Sequence, residues 1–414
     1  MNRKAILTGL FASALTLLVA AVPAAWGQEV TLEVWLTSGV AQVQELLPQF
    51  YAAYPNIKVN VSPLSWGEYE DKVFLAFATN SAPDVIMTGA SFIHQVAYNG
   101  FGLPLDRYIA DWGELDDFAP GALQAMTYEG KLYGLPLMAP TRALWYRKDL
   151  FQEHGLDPEA APQTWEEIRD AARKIVRYDG DKVTRIGMSL GEDILVHAFL
   201  TNGVKTHTED LRRAAFNTPQ GLEAMEFWTQ LARDMQYLGM PLDLTGGFYG
   251  GAVGMIYGYV SPAAAAQVDP GLLDQLGGPA VMERRLKAAF TYPDWVYITT
   301  QSKHPDEAWE FIKWLTSPSN LVEIQRVGGH PSPRRSSYEH PFYDTPEGEL
   351  VRRHFVEATL PYGTGFEPHP DTNVRRVRAE LWPRVVSGEL SPAAGLQEME
   401  TRVNAMLAEF WANR

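Results

Sequence analysis

Apolar and polar positions alternate where the folded region begins: Val30, Leu32, Val34 and Leu36 interleave with Thr31, Glu33 and Trp35. That two-residue period predicts a strand with one better-buried face. Val43, Leu47, Phe50 and Tyr54 then recur at spacings of three and four, Pro55-Asn56 interrupts them, and Ile57, Val59 and Val61 restore alternation. A strand, a helix and a strand in this order favour a parallel pair joined by a crossover. The same grammar predicts a helix near Glu68 to Thr79, a buried strand over Asp84-Val85-Ile86-Met87, and a helix from Ser91 that stops at Gly100. Thr164-Trp165-Glu166-Glu167 has the spacing of a capping box, with Ile168, Ala172, Ile175 and Val176 as the apolar face behind it. Pro219 to Tyr237 and Pro305 to Val327 read as two more amphipathic helices, and Trp228, Trp309, Trp314 and Trp382 have the apolar neighbours of core residues. Strands interleaved with helices throughout predict an α/β architecture.

Ahead of the first strand, Arg3 and Lys4 precede an apolar run from Ala5 to Val22, and Ala25-Trp26-Gly27 offers small residues for cleavage. Residues 1–27 therefore read as a secretion signal, with the mature chain starting at Gln28. An uncleaved anchor fits less well, because Pro23 interrupts the run, Gly27 ends it, and no second apolar stretch approaches the roughly 20 residues that span a bilayer. The 414 residues include no cysteine, which excludes disulfides and a lipid-modified cysteine tether. The expectation is a freely diffusing periplasmic protein whose core alone stabilises it. Without the leader roughly 390 residues remain, too many for one ordinary core and enough for two lobes. The formal charge of −15 becomes more negative still when Arg3 and Lys4 leave, which disfavours nucleic acid and anionic lipid as partners.

Catalytic motifs are sparse. Gly187-Met188-Ser189-Leu190-Gly191 satisfies G-x-S-x-G, so an exported serine esterase using Ser189 is a distant alternative. No His-Gly-Gly run precedes it to build an oxyanion loop, although His330 or His354 lie downstream. The nine histidines show no metal-ligand spacing, and no phosphate-binding G-x-x-x-x-G-K-[ST] loop is present. Neither a metal nor a cofactor is expected.

Several phrases, in order along nearly the whole mature chain, resemble the family 1 extracellular solute-binding proteins of ABC importers, the group that includes maltose-binding and glycerol-3-phosphate-binding proteins. They are Phe50-Tyr51-Ala52-Ala53-Tyr54-Pro55-Asn56-Ile57, Ala82-Pro83-Asp84-Val85-Ile86, Tyr128-Glu129-Gly130-Lys131-Leu132-Tyr133-Gly134-Leu135-Pro136, Gly251-Ala252-Val253-Gly254-Met255, Ala308-Trp309-Glu310-Phe311-Ile312-Lys313-Trp314-Leu315 and Ser387-Gly388-Glu389-Leu390-Ser391-Pro392. The resemblance implies a type II, maltose-binding-protein-like fold: two α/β lobes, a ligand cleft between them and a multi-segment hinge. Crossings are expected near Ala139 to Arg142, Tyr292 to Val296 and Gly328 to Ser332. Residues 28–140 with 294–330 would form the N-terminal lobe, and 141–293 with 331–414 the C-terminal lobe. The role implied is a monomer that binds a solute without catalysis and presents it to ABC importer membrane subunits.

A sugar needs aromatic platforms for its CH-rich face and a few polar side chains for its hydroxyls. Loops at the carboxyl ends of parallel strands supply such groups. That rule selects Thr37, Ser38 and Gly39, and Thr88, Gly89, Ala90 and Ser91, against plain helix capping by Ser38 and Ser91. Trp66 and Tyr69 lie between a strand and a helix, where cleft and core are both open readings. By correspondence with the family, Tyr257 and Tyr259 around Gly258 contact ligand, unless they are half-buried strand aromatics; Tyr292 and Trp295 join them from the second crossing. Arg142 and Arg334 are candidate clamps for an anionic or hydroxyl-rich ligand, while Arg335 reads as a surface residue. Arg375 stands where glycerol-3-phosphate-binding relatives contact phosphate, and Tyr69 fits their Gly-x-Tyr phrase, but the glutamate expected after the Pro-Asp strand is replaced by Thr88-Gly89-Ala90-Ser91. An exposed helical arginine is the competing reading for Arg375. The ligand is thus expected to be a mono- to oligosaccharide, with glycerol-3-phosphate or its diesters as the alternative.

Overall fold

Val30, Leu32, Val34 and Leu36 are buried and the residues between them are not, so the first strand, Val30–Leu36, places one face against a core. A computed structural model describes residues 29–191, 193–237, 244–365 and 374–412; the leader read over residues 1–27 lies outside the described residues. Val30–Leu36 pairs in parallel with Ile57–Pro63 on one side and Val85–Gly89 on the other, the predicted crossover arrangement. Asp294–Ile298 returns antiparallel to Val85–Gly89, and Leu135–Pro136 closes this five-stranded sheet. Its core takes Phe50 from helix Val40–Ala53 and Phe311, Ile312 and Leu315 from helix Pro305–Leu315. The run from Pro305 to Val327 is two helices rather than one: Pro318 opens a second, Pro318–Gln325, because it has no N–H to continue the first.

A second five-stranded sheet runs Leu276–Ala280, Ala143–Arg147, Val253–Gly258, Lys182–Met188, Arg177–Asp179. Alternation along Ala143–Arg147 sends Leu144 and Tyr146 to one face and Trp145 to the other, so helices cover both sides. The first face packs helix Trp165–Ile175, whose Thr164 and Glu167 complete the predicted capping box, together with Pro219–Asp234 and the C-terminal helix Pro392–Ala412. Trp228 and Trp382 are buried there, and Trp309 in the first lobe, as core residues.

Chain segments join the sheets side by side. Leu137 N–H donates to the Asp294 carbonyl at 2.7 Å, Tyr292 N–H to Pro140 at 3.0 Å, and Arg142 N–H to Phe290 at 3.0 Å, while Ala139 N–H reaches Pro331 at 3.0 Å. Between them Thr141 Oγ1 lies 2.7 Å from Thr291 Oγ1 and 2.9 Å from Thr359 Oγ1. The stretch after Pro331, expected in the C-terminal lobe, bonds to the N-terminal one: Ala119 N–H donates to Pro333 O at 2.8 Å and Ser337 Oγ to Pro318 O at 3.1 Å. The chain has reached the other lobe by helix Pro346–Arg353, where Arg353 donates to Gly278 O at 2.9 Å.

Candidate functional site

The N-terminal wall is built on loops after two neighbouring parallel strands. Gly39 takes φ +71° and opens helix Val40–Ala53 without a side-chain cap, so Ser38 does not cap it. Ser38 is exposed, its Oγ 3.8 Å from Met87 Sδ; Thr37 Oγ1 is buried without a bond; Ser91 is half-buried in the turn Ala90–Phe92. Trp66 is 45% exposed and stacks on Phe92 with ring centres 6.2 Å apart. Gly89 forms the floor: a Cβ there would stand 3.3 Å from the Trp66 ring and 3.4 Å from Asp294 Oδ1. An indole face and a carboxylate thus flank one glycine. No bond to the Asp294 carboxylate is formed among the described residues, and burial pushes its pKa from 3.8 up to about 7.

The C-terminal wall carries a cation among rings. The Arg142 guanidinium sits 5.1 Å over the Tyr292 ring, and its Nη1 lies 3.8 Å from where a Cβ on Gly258 would stand. His197 packs against Tyr257 at 4.8 Å, Phe290 at 5.8 Å and Tyr292 at 6.2 Å. Tyr259 stacks on His330 at 4.9 Å and donates its hydroxyl to Gly329 O, and Ser261 Oγ donates to Gly328 O at 2.9 Å. These bonds tie the end of strand Val253–Gly258 to the turn after helix Pro318–Gln325. His354 donates Nε2–H to Thr141 O at 2.7 Å. Burial first, and the Arg142 charge among the further causes, hold His197 down to about 3 and His330 and His354 down to about 4, so all three imidazoles are neutral at neutral pH. Burial also raises the Tyr257, Tyr259 and Tyr292 hydroxyls well above the ordinary tyrosine range. At the rim, Arg378 reaches Asp193 at 3.6 Å, and exposed Arg375 lies within electrostatic range of Tyr292.

Four expected site residues turn away from the cleft. Trp295 is fully buried and donates Nε1–H to Gly89 O at 2.9 Å. Strand alternation puts it on the face opposite Asp294, so the carboxylate, not the indole, flanks the floor. Tyr69 is buried beneath Phe92, 4.5 Å between ring centres, with Thr88 also inside the core. The Tyr69, Thr88 and Tyr297 hydroxyls influence one another without aligning into bonds. Arg334 is 4% exposed and spends its donors on Asp117 and Glu114, both at 2.6 Å, and on Thr316 O at 3.1 Å. It staples the post-crossing stretch to the N-terminal lobe. Arg335 is exposed and donates to Asp116 O.

The G-x-S-x-G run has a packing cause. A Cβ on Gly187 would stand 1.9 Å from Ala172 O, so only glycine lets helix Trp165–Ile175 lie on strand Lys182–Met188. Ser189 is buried, with its N–H given to Met255 O at 2.9 Å. Asp294, Phe92 and the three histidines were not singled out as ligand groups from sequence. Asp294 was readable from the parity of its strand; the histidines come from distant, unrelated segments that carry no shared spacing.

Residues 35–321 match the family model described as bacterial extracellular solute-binding protein. An uncharacterized ABC transporter extracellular-binding protein of Pyrococcus horikoshii is 26% identical over 315 residues, 72% of each chain. The sn-glycerol-3-phosphate-binding periplasmic protein of Salmonella paratyphi A is 24% identical over 411 residues, covering 89% of this chain and 90% of that one. Among solved structures, the sugar-binding protein MalE of Xanthomonas citri superposes with a TM-score of 0.78 at 23% identity, over 92% of this chain and 98% of that one.

Proposed function

The chain belongs to the bacterial extracellular solute-binding proteins, and from that premise we propose that it captures a sugar by hinge closure and presents it to the membrane subunits of an ABC importer. Membership in a family of binding proteins sets aside the esterase reading of Ser189. The observation that carries the sugar is the Trp66 ring beside the Asp294 carboxylate over the bare Gly89 floor. An aromatic face takes the CH surface of a pyranose, and an adjacent carboxylate takes its hydroxyls. Tyr257, Tyr259 and Tyr292 supply matching rings from the other wall. The structural likeness to a sugar-binding protein supports the same reading.

Titration of tryptophan fluorescence with mono-, di- and trisaccharides, beside glycerol-3-phosphate and its diesters, tests it. A saccharide response weakened about tenfold or more in Trp66→Ala is expected; a response to phosphorylated glycerol alone would refute it. The alternative, glycerol-3-phosphate or a diester, draws on the curated relative that binds it and on Arg375 near Tyr292. The buried position of Tyr69 weakens it. Our reading includes export with cleavage after Gly27, a soluble monomer in the periplasm, and lobes divided as 28–140 with 294–330 and 141–293 with the remainder. The bonds of residues 333–337 favour assigning that stretch to the first lobe.

A further inference from the structure

Arg142 is half-buried, and no carboxylate pairs with it among the described residues. Other arginines with shielded side chains have their anions: Arg147 meets Asp149 at 2.6 Å, Arg185 meets Glu153 at 3.0 Å, Arg334 meets Asp117 and Glu114 at 2.6 Å, and Arg378 meets Asp193 at 3.6 Å. Around Arg142 stand instead the Tyr292 ring, Gly258 with its lack of a side chain, and three imidazoles held neutral. A guanidinium drawn partly out of water without a counter-charge is unfavourable by itself, and a ligand that brings the charge relieves it. The wall is also shaped to receive one: Gly258 has no side chain to fill the space beside Nη1, and the planar fork of arginine matches a carboxylate or phosphate.

The opposite wall limits where a negative charge can go. Asp294 flanks the Trp66 platform, and a second anion beside it would be repelled whenever the carboxyl is ionised. Its acidity is perturbed by burial alone, with no contribution from Arg142. Arg142 and Asp294 form no ion pair among the described residues, so each is left to meet a different part of one solute.

Resting on the sugar reading above, we propose that the solute is an acidic sugar: its hydroxyl-rich end lies between Trp66 and Asp294, and its anionic group, a carboxylate or a phosphate, is received by Arg142. The recognition is fork to oxyanion on one wall and ring stacking with hydroxyl bonding on the other.

Isothermal titration of the mature protein with matched sets decides it: glucose, glucuronate and glucose-6-phosphate; galactose and galacturonate; and the corresponding disaccharides and their uronates. A charged member should bind about 10- to 100-fold tighter than its neutral partner, the usual worth of a hydrogen bond to a charged group. Preference for the uronate or for the phosphate identifies the anion. Arg142→Gln should erase that preference, bringing the charged member of each set to the affinity of its neutral partner. Equal affinity for charged and neutral members, or a preference that survives in Arg142→Gln, overturns the proposal and leaves the sugar function standing. Binding of no saccharide at all overturns both. In ligand-free protein, Arg142→Gln should keep or raise the melting temperature, since it removes a cation without an anion; a fall of several degrees would make Arg142 a structural residue and refute its role as a receptor.

Discussion

Asp294→Asn should stabilise the ligand-free protein at neutral and alkaline pH while weakening sugar capture. The Asp294 carboxyl is raised from 3.8 to about 7 by burial alone, with no cation or donor to offset it. Because the folded value lies above the unfolded one, the native state holds a proton that the unfolded state has released between those two values. Stability attributable to this group therefore falls as pH climbs from about 4 to 7, and the full cost persists above 7. At about 1.4 kcal/mol per pH unit the cost reaches about 4 kcal/mol, and residual water at the half-exposed side chain reduces it to about 2 kcal/mol. Asparagine keeps the shape without the charge. Thermal melts of wild type and variant across pH 4 to 8 should coincide at the acid end and separate by roughly 4–8 °C at the alkaline end, with the variant higher. A variant that melts lower than wild type at pH 8, or by a difference that ignores pH, would show that Asp294 is paired and not waiting for solute.

Arg334→Leu should cost about 3 kcal/mol in urea unfolding, because it strands Asp117 and Glu114 against the post-crossing stretch. Gly187→Ala should unfold the C-terminal lobe or destabilise it by about 3 kcal/mol or more, since the new methyl meets Ala172 O at 1.9 Å. Ser189→Ala, two residues on, should leave sugar affinity unchanged in the same titration. His354 is neutral when folded, with a value near 4 against 6.5 unfolded, so its contribution to stability is lost as pH falls from 6.5 to 4. His354→Gln should flatten that acid decline by up to about 3 kcal/mol, measured as the urea midpoint against pH.

The alternation of Val30 to Leu36, the capping box at Thr164 and the ordered family phrases made the layered architecture legible, because each is a local pattern with a local cause. What stayed hidden is set by pairing across distance. Trp295 looked like a cleft aromatic until its strand face was known, and its neighbour Asp294 took the place beside Gly89. Arg334 looked like a clamp because nothing local announces that Glu114 and Asp117 lie beneath it. Arg142 was legible as a candidate, but its lack of a carboxylate is a property of three-dimensional surroundings, as is the ring of neutral imidazoles drawn from residues 197, 330 and 354.

The crossing segments share backbone bonds from Leu137 to Asp294, Pro140 to Tyr292, Arg142 to Phe290 and Ala139 to Pro331. Strands fastened edge to edge bend as one plate, so the lobes cannot twist about one crossing while the others stay still. On the hinge-closure reading proposed above, lobes joined this way would turn occupancy of the cleft into one concerted rotation. On that same reading, a membrane receptor would need no access to the solute to learn whether cargo is aboard; one angle on the outer surface would be enough.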